Sequence, residues 1–214
     1  MRKTESPVKR ERLPFLVGAV VITAAIALLN ISGLTLGAAV LAAGIFWFFR
    51  DPERIIPEGD HLVVSPADGK VLSVTEVDED RFLKDRAKKI SIFLNIFDVH
   101  VNRIPASGRI REITYQPGTF LAADKDLASK HNEQNAVFLE TGSGRKMVFI
   151  QVAGLVARRI VCWVREGQEV SRGERFGMIR FGSRTDIFLP LDTEIRVSPG
   201  DRVKGGSSII GAFK

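Results

Sequence analysis

The order of hydrophobic and polar positions divides the chain into two parts of different character. Residues Leu13 to Phe49 include no charged side chain, and the sequence Asn30-Ile31-Ser32-Gly33 interrupts this apolar block near its middle. Each half is close to the lower length limit for a membrane-spanning helix, and the interruption has the composition of a turn. The pattern predicts a membrane-associated helical hairpin. One long tilted helix and a re-entrant hairpin in a single leaflet are the alternatives.

After the apolar block, short runs of β-branched and apolar residues are separated by turns rich in Gly, Pro and Asp. Such runs predict strands, and many short strands predict a mainly β domain of sandwich or barrel-like architecture. A short helix is predicted within Asp78–Lys89, and a loop or helical turn within Leu121–Glu133. The predicted strands are His61–Ser65, Lys70–Val77, Ile90–Phe97, Arg109–Tyr115, Ala136–Glu140, Lys146–Val152, Arg158–Val164, Phe176–Phe181 and Thr193–Val197.

Two pairs of short, similar segments, which we call sequence echoes, lie within the predicted strands and turns. Pro66–Val71 resembles Pro105–Ile110, and the spacing of Val and Gly from Val164 to Gly173 returns from Val197 to Gly206. Units of turn, glycine and strand are typical of hairpins that pack around a common core, as in lipoyl-like sandwiches. β-Turn chemistry that repeats without any structural repeat explains the echoes about as well.

The charges orient the apolar segment. Residues 1–12 contain five basic and two acidic side chains, and Arg50 and Arg54 follow the apolar block. Because positive flanks mark the cytoplasmic side, both ends are predicted to lie there, beside anionic phospholipid of the cell (inner) membrane. The predicted domains are a basic cytoplasmic tail (1–12), a membrane-associated hydrophobic hairpin (13–49) and a β domain on the cytoplasmic side (50–214).

Composition also excludes some classes of function. No basic run interleaved with aromatic residues occurs after Arg50, so nucleic-acid binding is not predicted. Cys162 is the one cysteine, which excludes an intrachain disulfide or a cysteine-based metal framework, and it is predicted to be a buried strand thiol.

Three residues far apart in the sequence could form a Ser–His–Asp group. His100 follows a predicted strand, Asp68 lies in Ser-Pro-Ala-Asp-Gly, and Ser207 lies in Gly-Gly-Ser-Ser. In such a group the carboxylate orients the imidazole, and the imidazole accepts the hydroxyl proton. Asp68 and Ser207 also suit plain turns, and sequence order does not establish the geometry. His61 is predicted to be structural.

Six motifs in the same order carry a family resemblance. The chain resembles the phosphatidylserine decarboxylase proenzymes of the short form found in bacteria and archaea, whose N-terminal apolar hairpin it also shares. The motifs are Phe48–Arg54, Ser65–Gly69, Phe97–Pro105, Asn132–Asn135, Ala153–Ile160 and Gly205–Ser208.

The resemblance implies a self-cleaving enzyme. The chain would cut itself between Gly206 and Ser207 into a large chain (1–206) and a small chain (207–214). Ser207 would become a pyruvoyl group that forms a Schiff base with the serine headgroup and serves as electron sink, without a metal or pyridoxal phosphate. His100, oriented by Asp68, would be the base for cleavage and the proton donor in decarboxylation of phosphatidylserine to phosphatidylethanolamine.

The resemblance leaves other assignments open. The longer branch of the family has a second histidine at the position of Arg103, so Arg103 is expected to bind phosphate or carboxylate, or else to be an exposed surface charge. His131 and Asn132 lie in a polar loop that could close over the headgroup. Family alignment selects Ser207 over Ser208 as the reactive residue. An oligomer is compatible with the sequence, and the ester or ether backbone of the lipid is not determined by it.

Two other classes of function compete with the decarboxylase. A membrane-tethered lipoyl-like carrier or adaptor needs a modified lysine in a tight hairpin, for which Lys125 is the nearest candidate. A membrane-bound serine hydrolase would use Ser207, but it normally has a Gly-x-Ser-x-Gly elbow between a strand and a helix. The residues favour the decarboxylase.

Overall fold

The computed structural model describes residues 7–120, 131–154, 159–180 and 182–214. The chain divides into two compact units, Met1–Pro52 and Glu53–Lys214. The helices are α1 Val8–Leu28 and α2 Ser32–Phe48. The strands are β1 Leu62–Val64, β2 Gly69–Glu79, β3 Asp85–Leu94, β4 Val101–Arg103, β5 Gly108–Gln116, β6 Gln134–Glu140, β7 Lys146–Val152, β8 Ile160–Cys162, β9 Glu169–Val170, β10 Arg175–Ile179, β11 Ser183–Pro190, β12 Glu194–Ile195, β13 Arg202–Val203 and β14 Ile209–Ala212.

The first unit is the predicted pair of helices. Helix α1 ends where Asn30 adopts a left-handed backbone conformation with φ of 52°, which asparagine tolerates better than most residues. The two helices pack on each other, and small residues such as Gly18 and Ala42 line the space between them. By length and composition α1 can cross a membrane, whereas α2 is shorter. The apolar α1 therefore favours the predicted membrane association.

The second unit is the predicted mainly β domain. Its described strands form an eight-stranded, curled antiparallel sheet and two three-stranded sheets. Apolar side chains on the inner face form the core, including Ile90, Phe149, Phe176 and Ile187, all fully buried. The rings of Phe149 and Phe176 meet edge to face with centroids 4.8 Å apart. This core supports the short strands around the candidate site.

Two of the local predictions were wrong. No helix lies within Asp78–Lys89, because β2 extends to Glu79, β3 begins at Asp85, and the Glu79 carboxylate accepts the backbone N–H groups of the connecting turn. Strand β11 was not predicted, since Arg184, Thr185 and Asp186 give it a polar start. It nevertheless pairs with both β3 and β7 in the middle of the large sheet. Residues 121–130, most of the predicted Leu121–Glu133 loop, lie outside the described residues.

The β domain consists of two similar repeats, and one is inserted within the other. The inserted repeat contains β4 to β10, and the outer repeat contains β1 to β3 followed by β11 to β14. In the large sheet the order β13-β2-β3-β11 mirrors β9-β5-β6-β7, and the small sheet β1-β14-β12 corresponds to β4-β10-β8. Strands β11 and β7 pair at the junction.

Equivalent hydrogen bonds confirm that the echoes in the sequence reflect this structural repeat. The N–H of Gly200 donates to the carbonyl of Val71 at 2.8 Å, and Gly167 donates to Ile110 at the same distance. Each of these positions occupies the same place in the sequence echo as its counterpart. Repeated turn chemistry alone does not explain matched long-range bonds of this kind, so the structural repeat is the correct interpretation.

Candidate active site

The turn with the predicted cleavage bond links β13 to β14. Gly206 has φ of 78°, in the left-handed region that favours glycine. Its N–H donates to the carbonyl of Ser65 at 2.8 Å, and the N–H of Ser65 donates to the carbonyl of Ser208 at 2.8 Å. Ser207 lies between these two anchored residues, half-buried, and its N–H donates to the carbonyl of Lys204 at 3.1 Å. The bond predicted to be cut therefore lies in a turn that backbone hydrogen bonds to Ser65 fix on both sides.

Asp68 supports this turn directly. Its Oδ1 accepts the N–H of Gly205 at 2.8 Å, and its Oδ2 accepts Nη2 of Arg54 at 2.7 Å. Burial raises the pKa of Asp68, and this effect exceeds the lowering by Arg54 and by the Gly205 N–H. The carboxylate of Asp98 also raises the pKa of Asp68, which indicates that the two acids lie near each other. The predicted role of Asp68 in orienting His100 stays a prediction.

His100 is fully buried and directly precedes β4. It does not lie at the end of the preceding strand, because β3 already ends at Leu94. Its Nδ1 lies 3.0 Å from the carbonyl oxygen of Asp98. Because a carbonyl oxygen can only accept, a hydrogen bond at this contact requires a proton on Nδ1. With Nδ1 engaged in this contact, a base at His100 would act through Nε2, and that role stays a prediction.

The loop that holds His100 is itself braced by Asp98. Its Oδ2 accepts the N–H of Asn95 at 2.9 Å, and its Oδ1 accepts Nη1 of Arg202 at 3.0 Å. Strand β4 then continues to Arg103, whose N–H donates to the carbonyl of Pro66 at 2.8 Å. This bond joins the His100 strand to the segment that contains Ser65 and Asp68.

Arg103 lies against the predicted cleavage site. Its side chain is buried, and Nη1 donates to the carbonyl of Gly173 at 2.9 Å. A Cβ atom built on Gly206 would lie 2.7 Å from Cδ of Arg103 and 3.3 Å from Cδ1 of Ile56. The alternative that Arg103 is an exposed surface charge is therefore wrong. Its role toward phosphate or carboxylate stays a prediction.

The two other residues predicted to contact the headgroup, His131 and Asn132, make hydrogen bonds within the protein. Nδ2 of Asn132 donates to the carbonyl of Ala153 at 2.7 Å, and the Asn132 side chain is buried. His131 is exposed, and its carbonyl accepts the hydroxyl of Thr119 at 3.0 Å. These contacts are structural, and headgroup binding by either residue stays a prediction. In the Ala153–Ile160 motif, residues 155–158 lie outside the described residues.

Four residues that hold the candidate site in place were not predicted from the sequence. Arg54 pairs with Asp68, Ile56 packs at Gly206, Ser65 bonds both sides of the turn, and Asp98 holds His100. All except Ile56 lie in the motifs of the family resemblance, and this was the signal that could have identified them.

The remaining candidates are less favoured by the geometry. A strand, β14, begins at Ile209 just after Ser207, whereas the elbow of a serine hydrolase leads into a helix. Lys125, the candidate of the carrier interpretation, lies outside the described residues.

Burial raises the pKa of the Cys162 thiol. Within the described ranges, no group of three or more His, Cys, Asp or Glu side chains could hold a metal ion.

Together, the fold and the site define a class: a mainly β protein with an apolar N-terminal hairpin and a Gly–Ser turn, with a left-handed glycine, just before its C-terminal strand. The family model for phosphatidylserine decarboxylase matches residues 41–211. The chain belongs to the phosphatidylserine decarboxylase family.

Curated relatives agree with this assignment. A phosphatidylserine decarboxylase proenzyme of Syntrophus aciditrophicus (strain SB) is 49% identical over 99% of this chain and 100% of its own length. The proenzyme of Symbiobacterium thermophilum is 51% identical over 95% of this chain and 94% of its own. That of Desulfotalea psychrophila is 44% identical over 99% of both chains. The predicted family and enzyme class, a carboxy-lyase, are confirmed.

Proposed function

We propose that this chain is a proenzyme that cleaves its own Gly206–Ser207 bond and then decarboxylates phosphatidylserine to phosphatidylethanolamine. The observation that carries the proposal is the turn itself. Gly206 is held in a left-handed conformation between a buried arginine and a bond to Ser65, directly before a half-buried serine. Membership of the decarboxylase family supports the same conclusion.

The first chemical step exchanges an amide for an ester. His100 accepts the proton of the Ser207 hydroxyl at Nε2, and Oγ attacks the carbonyl carbon of Gly206. The carbon–nitrogen bond of the peptide then breaks, its nitrogen takes up a proton, and an ester links Gly206 to the side chain of residue 207. A left-handed glycine favours this step because it leaves one face of the carbonyl without a neighbouring Cβ.

The second step releases the upstream chain. Loss of the α-proton of residue 207 and cleavage of its Cβ–O bond give a carboxylate on Gly206 and a dehydroalanine on residue 207. Tautomerisation of dehydroalanine and addition of water release ammonia and leave a pyruvoyl group. The products are the large chain (1–206) and the small chain (207–214). A pyruvoyl group supplies a conjugated carbonyl that accepts the electron pair when carbon dioxide leaves.

The residues around position 207 fit a group that must stay in place after cleavage. Strand β14 pairs with both β1 and β12, and Ile210 is fully buried. The N–H of Phe213 also donates to the carbonyl of His61 at 2.9 Å. A small chain held by two neighbouring strands and a buried side chain would stay in the domain after the cut. His100 is then the candidate proton donor for the decarboxylated product.

A lipid substrate requires the site to work at a bilayer. Helix α1 is long and apolar enough to cross a membrane, and basic residues precede the apolar block. We therefore propose that the chain is anchored in the cell (inner) membrane with its catalytic domain on the cytoplasmic side. The serine headgroup of phosphatidylserine is the group that the site must reach. Arg103, His131 and Asn132 are proposed to contribute to its binding.

Intact mass spectrometry of the purified protein in detergent tests the cleavage. The expected result is two chains, 1–206 and 207–214, with a small chain that begins with a pyruvoyl group and reacts with a carbonyl reagent. The variant Ser207→Ala should stay uncut and should release no carbon dioxide from phosphatidylserine vesicles. A wild-type chain that stays uncut at neutral pH, with no reactive carbonyl, would refute the proposal.

A further inference from the structure

The repeat within the β domain gives the cleavage turn a counterpart of nearly the same geometry. Gly173 occupies the position of Gly206, and their φ angles are 79° and 78°. The N–H of Gly173 donates to the carbonyl of Ile104 at 2.8 Å, as the N–H of Gly206 does to that of Ser65. Up to this glycine, the companion turn 171–174 and the cleavage turn 204–208 follow the same path.

The support from the neighbouring segment is also repeated. In the cleavage turn, Oδ1 of Asp68 accepts the N–H of Gly205 at 2.8 Å. In the companion turn, Oγ of Ser107 accepts the N–H of Arg172 at 3.0 Å. Asp68 and Ser107 occupy the same place in the Pro66–Val71 and Pro105–Ile110 echo. A polar side chain at this position therefore holds the turn in both repeats.

After the glycine the two turns differ by one residue. In the companion turn, Glu174 follows Gly173 at once, and the carbonyl of Glu174 accepts the N–H of Ile104 at 2.8 Å. In the cleavage turn the equivalent bond runs from the N–H of Ser65 to the carbonyl of Ser208, also at 2.8 Å. Ser208, and not Ser207, thus takes the position of Glu174.

The side-chain hydrogen bond that closes each turn also aligns Ser208 with Glu174. Oε2 of Glu174 accepts the N–H of Ser171 at 2.9 Å, and Oγ of Ser208 accepts the N–H of Lys204 at 2.9 Å. The strands that follow keep the one-residue shift. Ile209 pairs with Val64 as Arg175 pairs with Arg103. Ser207 is therefore the single extra residue of the cleavage turn.

We propose that Ser208 is a positioning residue for self-cleavage. By closing the turn through Lys204 and by taking the strand position, it leaves Ser207 as the extra residue, directly after the carbonyl of Gly206 that its hydroxyl is proposed to attack. One extra residue in a strand connection re-aims a side chain, as a β-bulge does. A shorter turn would give the serine after Gly206 the position of Glu174. This inference rests on the proposed function.

Deletion of Ser208 is the first test, because the variant still contains the sequence Gly-Gly-Ser. We expect the remaining serine to take the closing position, and the purified chain to stay uncut in intact mass spectra while it keeps the circular dichroism spectrum of Ser207→Ala. Cleavage of the deletion variant at a rate near that of the wild type would overturn the proposal. Cleavage of the wild-type chain between Ser207 and Ser208 would also overturn it.

Point variants keep the test valid if the deletion variant does not fold. Ser208→Ala removes one closing hydrogen bond and is expected to slow cleavage by about three- to tenfold, whereas Ser208→Thr restores the hydroxyl and the rate. Gln168→Ala removes a side-chain bond of the same kind, from the N–H of Arg165 at 3.1 Å, in another turn, and should leave the cleavage rate unchanged. Equal rates for Ser208→Ala and the wild type would refute the closing role.

The two proposals fail in different ways. If the wild-type chain is never cut, the proposed function itself fails. If the wild-type chain is cut after Gly206 but the Ser208 variants are cut equally fast, the role of Ser208 alone fails.

Discussion

Replacement of Gly206 by alanine is expected to destabilise the β domain and to slow self-cleavage. Two physical costs add. An L residue in the left-handed conformation at φ of 78° costs about 1–2 kcal/mol. The new Cβ would lie 2.7 Å from Cδ of Arg103, which is too close for an unaltered contact. Arg103 is buried and bonded to the Gly173 carbonyl, so it cannot simply move into solvent, and the overpacking costs about 1–3 kcal/mol.

Gly144→Ala provides the matched control. Gly144 has φ of 79°, and a Cβ built there meets no atom within 4 Å. The control therefore has the backbone cost without the packing cost. The free energy of unfolding of Gly206→Ala should be lower than that of Gly144→Ala by about 1–3 kcal/mol, the packing term alone.

The stability assay uses chemical unfolding of detergent-solubilised chains that also carry Ser207→Ala, so that cleavage does not interfere. The cleavage assay uses the serine-containing chains and follows the uncut band with time. If the packing strain misaligns the Gly206 carbonyl, about 1–3 kcal/mol corresponds to cleavage about five- to 150-fold slower. Equal destabilisation by the two alanine variants, with wild-type cleavage of Gly206→Ala, would refute the reasoning that Arg103 confines this turn.

Two further predictions concern the charges at the site. Burial raises the pKa of Asp68 despite the lowering effect of Arg54. The contribution of Asp68 to the free energy of unfolding is therefore complete below the usual aspartate pKa, and it is lost as pH rises through the raised value. If cleavage needs the Asp68 carboxylate, the acid limb of the cleavage rate should move to higher pH in Arg54→Gln, and an unmoved limb would exclude this role. Arg103→Met should leave the Gly173 carbonyl without its donor and lower the free energy of unfolding by about 1–3 kcal/mol. Arg109 is exposed, so Arg109→Met should change the free energy of unfolding by at most about 1 kcal/mol. Equal losses for the two variants in urea unfolding would contradict the assignment of Arg103 as the buried donor to Gly173.

The local sequence was sufficient for the elements whose pattern is self-contained. The uncharged block predicted the helix pair, because apolar length and a turn are local properties. Runs such as Lys146–Val152 predicted a strand with the correct bounds, because β-branched and apolar residues suit a buried pleated strand. Six short motifs in order were sufficient to predict the family, which the comparisons confirmed.

Strand β11 was missed for a physical reason. Its polar residues Arg184 and Asp186 form a buried ion pair with 2.9 Å between Nε and Oδ1. Burial of opposite charges depends on the partner, so hydropathy of the segment alone does not predict a central strand. The echoes between the repeats likewise had two explanations until hydrogen bonds between distant segments distinguished them.

By itself, the sequence determined the helix pair, the mainly β character, the family and the candidate residues Ser207, His100 and Asp68. Only the tertiary structure decided that Arg103 is buried against Gly206 and that Ser208 takes the position of Glu174. These facts depend on contacts between segments far apart in the chain, such as Ser65 with the turn at 204–208. Local periodicity records which face of a segment is apolar, but not which distant segment will pack against it.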